Sequence, residues 1–313
     1  MQEKDLKERD CMSFEAFTKC ICLDFRDMLI GVEVEIRENL KTNDVKLYGL
    51  TIVEGGNCVA PIIYLEGYYD EYLRGRELEE IEQNILDIYH KSKDSLKFDP
   101  RSFCDWNWVK ERIVFKLINR EMNREYLKKV PYVPYLDMAV VFHCPLESDK
   151  SGETNVPVCN NHLDIWGITK DELYAAAMAN TPKLLPPAIQ SMGEVMMELM
   201  GNPCDMPISD EEGALYILSN RNRRYGAGCL LYKDVLEKFS DSRHGADLYI
   251  LPSSIHEVIL IPVTEELNPE KLVEMIHIVN AEQLAPEEVL SDNLYQFVRK
   301  TGEVIIAGGK ENE

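Results

Sequence analysis

Histidine and cysteine sit side by side at His143-Cys144 and return at Cys159-x-x-His162. Zinc takes four nitrogen or sulfur ligands, and a hairpin would bring two such pairs into reach of one ion. A strand over Asp137 to Pro145 argues against the full set, because adjacent residues of a strand point to opposite faces. His143, Cys159 and His162 are therefore weak metal candidates, set against the ordinary use of such side chains as buried thiols and histidines. Cys144 beside a histidine has the makings of a thiolate nucleophile, without a flanking signature to support it. Ser253, Ser254, His256 and Glu257 hold the residue types of a hydrolase triad. Their crowding into one segment counts against that role, since triad members converge from separate elements. The plainer reading has the serines bonding a turn while His256 and Glu257 begin the returning strand. Arg221, Arg223 and Arg224 form the one compact basic group, and guanidinium forks match phosphate or carboxylate. Their plainer use is a solvated turn or ion pairs within the protein. No Gly-x-x-x-x-Gly-Lys-Ser/Thr and no Gly-x-Gly-x-x-Gly occurs, so no cofactor is implied.

The elements that must position these groups read as hairpins followed by helices. Asp247 to Pro262, DLYILPSSIHEVILIP, has two apolar runs around a Pro-Ser-Ser break, the pattern of a buried hairpin. A helix over Pro269 to Asn280 follows. Ser13 caps a helix to about Leu29 with Phe14, Phe17, Ile21 and Phe25 at helical spacing. Val32, Val34 and Ile36 alternate with Glu33, Glu35 and Arg37 as a strand, and residues 45–53 and 60–65 continue the sheet across a turn at Gly55-Gly56-Asn57. Tyr68, Tyr69 and Tyr72 suit either a contact surface or the edge of a core. Glu77 to Lys91 is amphipathic and helical. The spacing of Trp108, Val109, Ile113, Leu117 and Ile118 predicts one long helix from Asp105 to Lys129, ended by Pro131. Beyond it come a strand over 137–145, a polar loop at 146–153, a partner strand over 154–163, and a helix opened by the capping box Thr169–Glu172. Pro186-Pro187 leads into a Met-rich helix. Residues 201–212 read as a linker, 215–218 with 228–232 as a hairpin tipped by the arginines, and 295–306 as a last hairpin before a disordered tail at 308–313.

This pattern predicts an α+β fold: antiparallel hairpins, each followed by a helix, with the helices packed on one face of the sheets. The proline stop divides it into an N-terminal α+β domain over 1–130 and a C-terminal one over 131–313, packed as one unit or as two. Acids outnumber bases 55 to 34, for a net charge of -21. Such a surface repels nucleic acid and anionic membrane and suits a basic protein partner. Nine cysteines at irregular spacing, with neither an apolar leader nor a run of membrane-spanning length, predict reduced thiols in the cytoplasm.

The strings VKLYGLTIVEGGNCVAPIIYLEGYYDEY, HLDIWGITKDELYAAAMANTPKLLPP, LYILPSSIHEVILIP and NAEQLAPEEVLSDNLY resemble an uncharacterised family of clostridial gut-bacterial proteins. The resemblance covers most of the chain. It implies a bacterial cytoplasmic protein carried on a mobile element, and transfers no catalytic residue. The C-terminal half is similar as well to another widespread uncharacterised bacterial family. The leading expectation is a non-enzymatic binding or regulatory protein that docks a macromolecular partner through its acidic surface. The alternatives are a hydrolase or metal-dependent enzyme built on 143–162 or 253–257, and a small-anion sensor built on Arg221, Arg223 and Arg224.

Overall fold

The computed structural model describes residues 11–54, 62–95, 101–146, 154–200 and 215–307. Its contacts divide the chain into two compact units. One comprises Met1–Lys41, Val45–Arg101 and Leu146–Thr154; the other comprises Thr42–Asp44, Ser102–Pro145 and Asn155–Glu313. The division expected near residue 130 thus moves to residue 101, because 114–119 pairs in one sheet with 138–146. The turn at Gly55-Gly56-Asn57, most of the 146–153 loop, the linker at 201–212 and the tail at 308–313 lie outside the described residues.

The first unit is α1 (Phe14–Met28), β1 (Val32–Leu40), β2 (Lys46–Glu54), β3 (Ile62–Tyr64), α2 (Glu66–Leu73) and α3 (Leu78–Ser95). Ser13 starts α1 by accepting the Ala16 N–H at 3.3 Å, the usual satisfaction of a free amide in a first turn. The strands form an antiparallel sheet in the order β1-β2-β3. Val34 lies opposite Ile52 and Ile36 opposite Leu50, so the apolar positions share one face while the intervening charges take the other. Phe17, Ile21 and Phe25 of α1 and Ile81, Ile85 and Tyr89 of α3 bury that face. Tyr68, Tyr69 and Tyr72 pack against this core as its edge.

Between α1 and α3 two carboxyl groups meet. Cys20 Sγ donates to Asp24 Oδ2 at 3.2 Å, and Asp24 is hydrogen-bonded to Glu82. Burial first, then that bond and the Asp24 charge, push the Glu82 carboxyl up to about 7. The folded chain therefore holds this proton more tightly than the unfolded one. The stability it contributes is present below the unfolded value, near pH 4.3, and fades as pH rises through about 7. Glu82→Gln keeps a donor and cannot ionise. Its unfolding free energy from urea titration should match wild type near pH 4 and exceed it at pH 8 by on the order of 1 kcal/mol, after discounting for solvent screening. An equal difference at both pH values would remove the shared proton from the account.

The second unit holds α4 (Trp106–Lys110), β4 (Val114–Asn119), α5 (Arg124–Leu127), β5 (Tyr132–Tyr135), β6 (Met138–Leu146), β7 (Thr154–Pro157), α6 (Asn160–Trp166), α7 (Lys170–Leu184), β8 (Pro187–Ser191), α8 (Met192–Met200), β9 (Tyr216–Asn220), α9 (Val235–Ser242), β10 (Leu248–Ser254), β11 (Glu257–Pro262), α10 (Pro269–Glu282), β12 (Tyr295–Val298) and β13 (Glu303–Ile306). β4, β6 and β5 form one antiparallel sheet, with β7 on β6; the other has the order β13-β12-β10-β11-β9-β8. Leu248 and Ile250 of β10 enter the main core with Phe115 and Leu117 of β4, Phe142 of β6 and Phe239 of α9. Tyr249 and Leu251 point the other way, onto Leu272 and Ile276 of α10. The fold is α+β, and in this larger sheet α9 and α10 serve opposite faces.

Four expected elements differ. The helix over Asp105 to Lys129 is three elements, α4, β4 and α5. Ile113 to Ile118 is rich in β-branched and aromatic residues, and both faces of β4 are buried, Phe115 and Leu117 in one core and Ile118 in another. A strand buried on both faces loses its alternation and mimics a helical stripe. The partner strand over 154–163 stops at Pro157, and α6 follows. Residues 187–191 form β8 before the Met-rich helix. Residues 226–231 form a 3-10 turn rather than a return strand, since β9 already has β8 and β11 on its two edges. Among the described residues no helix is long and apolar enough to cross a membrane.

Candidate functional site

One face of the β8-β9-β11 end of the large sheet forms the floor of a cavity of about 640 Å³. The floor is Ala188 and Gln190 of β8, Ile217 and Ser219 of β9, and Glu257 of β11; Val195 of α8 stands over it. Ala188 pairs with Ser219 and Gln190 with Ile217, so these residues share the face by register. Asn220, Arg221 and Arg223 form the rim.

The rim is a built loop. Asn220 Oδ1 accepts the amides of Asn222 at 3.0 Å and Arg224 at 3.4 Å, while its Nδ2 donates to Arg224 O at 2.7 Å. Arg223 and Tyr225 take positive φ, 52° and 56°, a region that costs a side-chain-bearing residue and holds only when neighbours impose it. The neighbours are evident. Tyr225 N donates to His256 Nδ1 at 3.1 Å, and the two rings stack at 5.5 Å. Gly226 lies so close to β9 and to the β10–β11 turn that a Cβ would stand 2.5 Å from His256 O. Arg223 is tied down further, to Glu198 Oε2 at 2.6 Å and Gln190 Oε1 at 2.9 Å. The Arg221 side chain forms no ion pair or hydrogen bond with a described residue, and it is exposed on the rim.

Arg224 turns from the cavity toward a second cluster behind it. Its guanidinium lies 5.8 Å from the Tyr225 ring centroid, the Lys116 ammonium lies 4.6 Å from it, and the His143 ring meets it edge-on at 5.2 Å. Burial, helped by Lys116 and Arg224, lowers His143 to about 3, so it is a neutral ring, and its Nδ1 has no partner among the described residues. His256 is lowered chiefly by burial, with Glu288 opposing from 3.6 Å and Arg224 and Lys116 assisting. Because Nδ1 of His256 accepts from Tyr225, its proton sits on Nε2, toward Glu288.

The other candidates scatter. Cys144 is buried in the main core on the face opposite His143, and burial pushes its thiol up to about 12. Cys159 begins α6, where its amide donates to His162 Nδ1 at 3.0 Å; His162 packs between Phe103 and Trp166. Burial raises the Cys159 thiol and lowers His162. Among the described residues no three histidine, cysteine or acidic side chains are placed to hold a metal ion. Ser254 Oγ accepts the His256 amide at 3.0 Å, and Ser253 bonds Glu257, so neither serine addresses the His256 ring. The β10–β11 turn falls at Ile255-His256, directly after the Pro-Ser-Ser stretch, which is the end of β10. Burial raises the Glu257 carboxyl, while Arg223 and Ser253 hold it back.

Sequence reasoning named Arg221, Arg223, Arg224, His143, His256 and Glu257 but placed the arginines on a hairpin tip. It passed over Gln190, Ser219, Asn220, Lys116 and Tyr225. Asn220 at a strand end before a basic run is a legible turn signal; Gln190 carries none. No curated protein and no solved structure matches the chain. The family model described as "Family of unknown function (DUF5688)" matches residues 14–299, and the chain belongs to that family.

Proposed function

We propose that the protein binds a small anionic ligand, phosphate- or carboxylate-bearing, in the cavity rimmed by Arg221 and Arg223. The observation that carries this reading is the exposed Arg221 guanidinium on a pre-formed rim, beside an Arg223 that Glu198 and Gln190 hold in place. A guanidinium offers a planar fork that pairs with a carboxylate or phosphate through two parallel bonds. The loop is fixed by Asn220, His256 and Gly226 before any ligand arrives, so little ordering cost remains for binding. The net charge of -21 opposes an anion at long range, but physiological salt screens charges more than about 8 Å away and leaves the local arginines in control. The macromolecular-partner reading rests on that same net charge, which singles out no face.

Calorimetric titration with inorganic phosphate, pyrophosphate and citrate tests the proposal. At least one should bind, and Arg221→Ala should weaken it by about tenfold or more, the loss of one charge-assisted contact of roughly 1.5–3 kcal/mol. Arg221→Lys keeps the charge without the fork and should fall between. No heat and no thermal shift from any of the three, or an unchanged affinity in Arg221→Ala, would sink it.

A further inference from the structure

We infer that the ligand of this cavity is zwitterionic: an anionic group held by Arg221 and an ammonium group held by Glu257. The inference rests on the anion-binding reading above and deepens it. Arg223 already carries the Glu198 carboxylate at 2.6 Å and Gln190 at 2.9 Å, which leaves Arg221 as the rim cation without an acidic partner among the described residues. Among the described residues Glu257 is the one acid that lines the cavity. It is half-buried on the sheet floor, with Ser253 bonded to it and Arg223 the charge acting upon it. A purely anionic ligand would meet its repulsion in a place where water screens poorly. A ligand bearing both charges matches both ends of the cavity and relieves a carboxylate held in a desolvating site.

The backbone sets the scale. Val258 pairs with Leu218, so Glu257 flanks Ser219 across the β9–β11 ladder. Arg221 lies two residues beyond Ser219, no more than about 7 Å along the chain. A short amino acid, its two charged ends a few bonds apart, spans such an interval.

The probes are ω-amino acids of increasing length, from glycine through 6-aminohexanoate, each titrated against its N-acetyl derivative. Acetylation deletes the ammonium and keeps the carboxylate. In the wild type the best-fitting free amino acid should bind at least about tenfold more tightly than its acetylated form. Glu257→Gln should invert the effect, weakening the free amino acid and strengthening the acetylated one, since one carboxylate has left the wall. Arg221→Ala should weaken both. Equal affinities for free and acetylated forms, unchanged in Glu257→Gln, would overturn the zwitterion while leaving the anion site standing. No binding of any carboxylate, amino acid or inorganic anion would overturn both.

Discussion

Asp137→Ala is expected to destabilise the second unit by roughly 3–5 kcal/mol, the order expected when two buried hydroxyls lose the acceptor they share. Asp137 lies at the turn between β5 and β6. Its Oδ1 accepts the Tyr295 hydroxyl at 2.6 Å, and its Oδ2 accepts Ser291 Oγ at 2.7 Å and Asn293 Nδ2 at 3.0 Å. Ser291 and Tyr295 are wholly buried, so both hydroxyls would lose the acceptor that satisfies them inside the core. Burial and the Asp137 carboxylate hold the Tyr295 phenol far above its ordinary value, so it remains a donor throughout the accessible pH range. The same carboxylate ties β6, in the smaller sheet, to the strand that pairs with β10 in the larger one. Trp106, Trp108 and Trp166, the three tryptophans of the chain, all belong to this unit, so fluorescence-detected urea unfolding reads it directly. The midpoint should fall with the slope preserved. A loss below about 1 kcal/mol would mean that the three donors find other acceptors.

Gly226→Ala is expected to damage both stability and ligand binding, through space rather than backbone conformation. The added Cβ would collide with Ser219 Oγ, and would stand 2.5 Å from His256 O and 2.7 Å from Asn220 N. The last two are backbone atoms, so β9 or the β10–β11 turn has to move. Overpacking of this kind costs about 1–3 kcal/mol or more, and here it also breaks the 2.8 Å bond from Ser219 Oγ to His256 O. The displaced atoms carry the rim: Asn220 orients the loop that bears Arg221 and Arg223. Anion affinity should therefore fall even at temperatures where the variant is folded. Ser219→Ala added to Gly226→Ala removes the side-chain collision but neither backbone one. The double variant should recover only part of the lost stability and little of the affinity. Full recovery of both would show that the hydroxyl alone set the limit.

How much of this could be read from the chain varies with the range of the interactions involved. The β10–β11 hairpin, α1 with its Ser13 cap, the Val34/Ile36 strand and the Thr169–Glu172 capping box were legible because each is specified by residues a few positions apart. The Glu172 amide reaches Thr169 Oγ1 at 3.3 Å, and the Thr169 amide reaches back to Glu172 at 2.9 Å. β4 was misread because burial on both faces erases the alternation that marks a strand. β8 was missed because Pro186-Pro187 and a five-residue edge strand leave almost no periodic signal. That omission hid the cavity, whose floor needs β8 beside β9; three arginines were visible in the sequence, but not the surface they overlook.

The chain by itself determined the α+β class, the local strands and caps, and the residue types able to hold an anion. Tertiary structure alone decided which way each arginine faces: Arg221 and Arg223 to the cavity, Arg224 to Tyr225. It likewise paired Asp137 with residues 154 to 158 positions away, and Asn43 with Asn123 across 80. Local order follows from backbone sterics and short-range hydrogen bonds, which any segment carries with it. A site made from β8, β9 and β11 exists only once burial of the common core has fixed their register, and no segment holds that information alone.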